Sequence, residues 1–187
     1  MNKERILQAA QETAELLAHE TLADDLVRTY NTLMHSLKNG GTIFVCGNGG
    51  SAEQAGHFAG ELVGRFKKER KGIRAVALGM AVATLTAWSN DYDYEGAFSR
   101  ELETLGRSGD VLVGLSTSGN SKNVIHAVAK AKDIGMQTVG FLGKGGALAS
   151  MVDVAVRIPA EETARVQEAH LFIIHMLSEA IEDALSV

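Results

Sequence analysis

The chain has 187 residues, 45% of them hydrophobic and 22% charged, with a formal net charge of −5. This is the composition of one soluble domain, and it excludes a disordered, collagenous or disulfide-stapled chain. With no basic block, nucleic acid and anionic membrane are poor partners, while a small anion stays compatible because helix-start amides bind phosphate whatever the global charge.

Two helices are predicted within residues 3–38, from apolar stripes at Ile6, Ala9, Ala10, Leu16, Leu17 and at Leu26, Val27, Tyr30, Leu33, Leu37. Asn39-Gly40-Gly41 stops the second one. A strand at 42–46 runs into Gly47-Asn48-Gly49-Gly50-Ser51 and a helix over about 52–64. Cys46 closes that apolar strand, so it reads as a buried thiol rather than a nucleophile; as the one cysteine it also excludes an intramolecular disulfide. A short strand at 75–78 precedes helical stretches near 81–89 and 94–105. An apolar strand at 110–115 leads into Ser116-Thr117-Ser118-Gly119-Asn120-Ser121, then a helix at 124–134 and a strand at 138–142. Gly143-Lys144-Gly145-Gly146 opens a short helix, 153–158 is a last strand, and 161–185 is a long terminal helix.

Short unbroken apolar strands alternating with helices mean a parallel sheet buried on both faces. The expectation is a single α/β domain over 1–187, with five parallel strands and helices on both sides. The helices of 1–40 cover the sheet or make subunit contacts. No signal-peptide core and no bilayer-length apolar run is present, so the expected compartment is the cytoplasm.

Ligands of parallel α/β sheets bind beyond the carboxyl ends of the strands. Two loops belong there. The glycine loop after the first strand, Asn48, Gly49, Gly50 and Ser51, reads equally as an anion cradle or a tight turn. The second loop carries hydroxyls at Ser116, Thr117, Ser118 and Ser121. Capping uses one hydroxyl, so four point to a phosphate-binding loop. Lys122 reads as a solvated lysine. His57 and Glu61 share a helix face by their i, i+4 spacing, and Gln167 and His175 share a face of the terminal helix. Together they suit a divalent-ion site of mixed nitrogen and oxygen donors, or an acid/base pair at a carbonyl. Surface hydrogen bonding is the plain alternative, and spacing leaves His170 and His175 undecided. Asn90-Asp91 ends a helical stretch as a cap or turn.

The segments Cys46–Ser51, His57–Arg65, Asn90-Asp91-Tyr92, Phe98-Ser99-Arg100, Gly109–Leu112, Ser116–Ser121 and Thr163–Glu168 resemble the phosphoheptose isomerases, in order and spacing, over nearly the whole chain. The resemblance implies the sugar-isomerase (SIS) fold and conversion of sedoheptulose 7-phosphate to D-glycero-D-manno-heptose 7-phosphate, the first step toward the activated heptose of lipopolysaccharide. It implies a homotetramer with shared active sites and one zinc ion per site, held by His57, Glu61, Gln167 and His175. Glu61 and His175 match the acid/base pair, which selects His175 over His170. Ser116, Thr117, Ser118 and Ser121 match the phosphate loop; Asn48, Gly49, Gly50, Asn90, Asp91 and Gln167 match substrate contacts. Gly60, Trp88-Ser89 and Ala164 depart from common family residues. A non-catalytic SIS module binding a phosphosugar or a replication-initiator protein is the alternative, as is an isomerase of another phosphosugar. The full His57/Glu61/Gln167/His175 set favours the heptose isomerase, because binding alone needs no acid/base pair.

Overall fold

A computed structural model describes residues 2–186. The elements run α1 (Lys3–Leu17), α2 (Glu20–Lys38), β1 (Ile43–Cys46), α3 (Gly50–Val63), β2 (Ala75–Ala77), α4 (Val82–Asp91) and α5 (Ala97–Leu105). They continue with β3 (Val111–Ser116), α6 (Lys122–Ile134), β4 (Gln137–Leu142), α7 (Leu148–Met151), β5 (Val154–Arg157) and α8 (Thr163–Leu185). The five strands form one parallel sheet in the order β2-β1-β3-β4-β5, as expected.

Every residue of β1 and β3 is buried, so the sheet is covered on both faces. Successive strand side chains point to opposite faces. Ile43, Val45, Val111, Val113 and Phe141 enter one core with Leu33, Phe58, Leu62, Ile173 and Leu177, so α2, α3 and α8 cover that face. Phe44, Cys46, Leu112 and Leu142 enter the other with Phe98, Leu102, Val124, Val128 and Leu148, from α5, α6 and α7. Among the described residues no helix is long and apolar enough to cross a membrane.

The strand order places a switch point between β1 and β3, where Ile43 pairs with Val111 and Cys46 with Gly114. The connections leaving these two strands diverge, which opens a crevice at their carboxyl ends. Two expectations need correction. The glycines at 143–146 do not open the short helix, which begins at Leu148; Gly146, at φ 91°, turns the chain against the backbone of Ser118 and Gly119 first. The helix expected from 94 begins at Ala97, because Asp93 accepts the Gly96 amide and holds a turn there. Of the two N-terminal helices, α2 covers the sheet, whereas α1 buries no residue and touches α8 through Thr13 to Glu168 and Arg165 to the Ala9 carbonyl.

Candidate active site

Both loops flank the crevice. Gly49 caps α3 at φ 56° and ψ −125°, a positive-φ conformation that glycine adopts without strain. Gly50 follows with no room for a side chain: a Cβ there would stand 2.7 Å from Gln167 Nε2. Ser51 is buried under Gly47. Asn48 forms a reciprocal amide pair with buried Asn123, at 2.9 and 2.8 Å, and its Oδ1 also accepts the Tyr94 hydroxyl at 2.7 Å. This triple contact ties the first loop to the start of α6 and so to the second loop.

In the second loop Ser121 holds the N-cap of α6, yet its hydroxyl makes no capping bond. It lies 2.9 Å from Ser116 Oγ, which is 3.4 Å from Ser118 Oγ. Thr117 is half-buried between them, its carbonyl against Gly143. Three serine hydroxyls thus converge at a helix start whose N-cap side chain leaves the first amides uncapped, apart from the Val124 amide that Asn123 Oδ1 accepts, an arrangement that favours an anion. The loop is braced from behind. Asn120 donates to the Ser118 carbonyl and accepts from the Ala147 amide, and the Leu148 amide donates to Gly119. Lys122 is exposed and paired with Glu95, as a solvated lysine would be.

The polar side chains of α3 and α8 meet between the helices. His57 Nε2 lies 3.0 Å from His175 Nε2 and 3.4 Å from Glu61 Oε1. The rings meet edge-on at 5.2 Å, and Phe66 flanks His175 at 5.7 Å. His57 keeps 41% of its side-chain surface, so a ligand can reach the cluster. His170 is separated from it by the fold. It is fully buried against Phe141, with Nε2 3.3 Å from the Leu142 carbonyl, and burial pushes its pKa down to about 4 despite that bond. Cys46 is buried, and its thiol is pushed up to about 12, first by burial and then by Glu101, which makes it no nucleophile.

The SIS-domain family profile matches residues 7–143. Over 177 residues the chain is 48% identical to a phosphoheptose isomerase of Helicobacter pylori strain P12, covering 90% of this chain and 92% of that protein. The chain belongs to the phosphoheptose isomerases. The phosphoheptose isomerase of Neisseria gonorrhoeae superposes with a TM-score of 0.84 at 40% identity, over 95% of this chain and 92% of that one. That of Francisella tularensis gives 0.87 at 36% identity, over 96% and 94%.

The two loops and the His57–Glu61–His175 cluster are the sequence-predicted residues that the fold draws into groups. Gln167 makes no hydrogen bond to that cluster: its side-chain amide rests on Gly50, and its backbone carbonyl accepts Gln54 Nε2 at 2.7 Å. Asn90 and Asp91 are exposed at the end of α4 and bond to each other, with no bond to either loop. Asn123 and Tyr94 were missed by the sequence reading. Asn123 had a signal, a short polar residue heading an apolar helix straight after the serine loop; Tyr94 had none.

The donor set suits zinc in kind, with two imidazole nitrogens and a carboxylate oxygen at one place. In spacing the cluster is drawn in. Two imidazoles on a tetrahedral zinc stand about 3.3 Å apart, given Zn–N distances of about 2.0–2.1 Å, and here they are hydrogen-bonded at 3.0 Å. Among the described residues no three His, Cys, Asp or Glu side chains form a ready metal cage.

Proposed function

We propose that this chain interconverts sedoheptulose 7-phosphate and D-glycero-D-manno-heptose 7-phosphate in the cytoplasm, as the entry to activated-heptose synthesis. The observation that carries this reading is the meeting of His57 and Glu61 of α3, the helix that starts at the glycine loop, with His175 of α8, 118 residues from His57 in sequence.

Ser116, Thr117, Ser118, Ser121 and the first-turn amides of α6 hold the phosphate. Binding at this remote group fixes the reacting carbons in place. Asn48, Gly49, Gly50, Ser51, Asn90, Asp91 and Gln167 line the path of the hydroxyls. Glu61 takes the proton from C1 of the ketose and returns it to C2. His175 gives a proton to the C2 oxygen and receives one from the C1 hydroxyl, so protons balance over the turnover. His57 bridges the two. His57, Glu61 and His175, with Gln167 swung from Gly50, would hold a zinc ion. When bound, zinc would supply positive charge beside the oxygens that become anionic.

A homotetramer with shared sites fits the exposed apolar side chains Met80, Val82 and Tyr92 around α4 and Leu171, Phe172 and Met176 on α8. The deciding assay incubates the protein with sedoheptulose 7-phosphate, with chelator or with added zinc, and follows aldoheptose phosphate. Conversion is expected. Its absence under every metal condition overturns the reading in favour of a binding module.

A further inference from the structure

The loop between α3 and β2 is held to α8 by a buried ion pair outside the substrate path. Arg70 and Glu182 keep 3% and 1% of their side-chain surface. The Glu182 carboxylate accepts three successive amides, Phe66 at 2.9 Å, Lys67 at 2.6 Å and Lys68 at 2.9 Å, and Arg70 Nε at 3.1 Å. The rest of the Arg70 guanidinium turns to main-chain carbonyls. Nη2 donates to Glu61 at 2.7 Å; Nη1 donates to Leu62 at 2.8 Å and to Gly64 and Lys71 at 3.2 Å.

This geometry joins the two halves of the polar cluster. Glu61 and Leu62 lie in the last turn of α3, where carbonyls lack intrahelical donors, and Arg70 supplies them together with a cation at the helix end. Glu182 lies two turns beyond His175, on the same side of α8. The amide of Phe66 is held by Glu182 while its ring flanks His175. A buried pair adds little net stability over apolar residues of the same shape. What the fork of Arg70 adds is direction, since one planar group fixes the peptide of Glu61 relative to the helix of His175.

We propose that Arg70 and Glu182 are positioning residues that set the separation of α3 and α8 at His57, Glu61 and His175. The kinetic part of the test rests on the isomerase reading; the spectroscopic part does not. Arg70→Lys keeps the charge but cannot reach both Glu182 and the Glu61 carbonyl. Glu182→Asp keeps the charge and withdraws the carboxylate by one methylene, and it decides the matter if Arg70→Lys does not fold. Lys68→Ala is the control, because it removes an exposed ion pair to Asp183 between the same two segments and leaves the amide bond to Glu182.

Each variant is first shown to be folded at the assay temperature by circular dichroism. The His57 and His175 ring resonances are then recorded at one pH in histidine-labelled protein, and kcat and KM are measured. The expected result for Arg70→Lys is displaced resonances of both rings and a kcat lower by about 10-fold or more with KM within about twofold, the pattern of misplaced reacting groups. Lys68→Ala should match the unsubstituted chain in both readouts. Folded clamp variants with unmoved ring resonances and unchanged kcat overturn the proposal. If the unsubstituted chain does not isomerise sedoheptulose 7-phosphate, the functional reading fails, and the ring resonances alone still judge the clamp.

Discussion

His57 stands between two partners that a single Nε2 proton cannot serve at once. A neutral imidazole has one N–H, and this nitrogen faces His175 at 3.0 Å and Glu61 at 3.4 Å. The proton that binds His57 to Glu61 is therefore withheld from His175, and a change in either partner resets the other. Such a chain suits groups that exchange protons during turnover. Glu61→Gln keeps the shape but removes the proposed base, and His175→Gln keeps a hydrogen-bonding amide but cannot carry a proton. Each should lower kcat by about 10²-fold, the usual scale for an acid/base group. KM should move little, because the serine loop proposed to hold the phosphate is a separate element. Steady-state kinetics of both variants check this; near-normal kcat in either removes that residue from the proton path.

Two glycines show how elements, rather than residues, build the phosphate end. Gly49 and Gly119 both have positive φ, at 56° and 66°. A Cβ on Gly49 would meet nothing, whereas one on Gly119 would stand 1.7 Å from the Gly145 carbonyl oxygen. Gly49→Ala should therefore cost only the backbone term, about 1–3 kcal/mol. Gly119→Ala adds a clash between two backbones that cannot yield like a flexible side chain. It should cost about 3 kcal/mol or more and raise KM for a phosphorylated substrate, because the 143–146 loop braces the serine loop. Denaturant melts of the two variants and the KM of each give the comparison. These elements differ in how readable they were. The strands were plain as apolar runs because a sheet buried on both faces leaves no polar positions. The serine loop was plain because its hydroxyls exceed what a cap uses. Arg70 with Glu182, and Asn48 with Asn123, join residues 112 and 75 apart, and no local pattern announces a pairing across such a distance. Gln167 shows the same limit: its place on α8 was legible, but its rest against Gly50 depends on how two helices pack.

At the scale of the molecule, α8 is held by two groups that respond to acid in successive ranges. His170, inside its apolar stretch, has its pKa lowered from 6.5 to about 4, chiefly by burial, with the Leu142 carbonyl opposing. Burial would raise Glu182, but the Lys67, Phe66 and Lys68 amides and then Arg70 outweigh it and hold it at about 2, against an ordinary 4.5. Both folded values lie below the unfolded ones, so in both ranges the unfolded chain binds more protons and stability is lost as the pH is lowered. The His170 contribution is complete above pH 6.5 and is lost as pH falls toward 4; that of Glu182 is lost between about 4.5 and 2. The first loss is on the order of 3 kcal/mol, from about 1.4 kcal/mol per pKa unit. His170→Gln keeps a donor for Leu142 but does not titrate. Urea unfolding of both chains from about pH 7 to 4.5 should show the original chain losing stability more steeply than the variant. Parallel slopes for the two would mean that His170 is protonated in the fold or that its burial is relieved before α8 leaves the sheet.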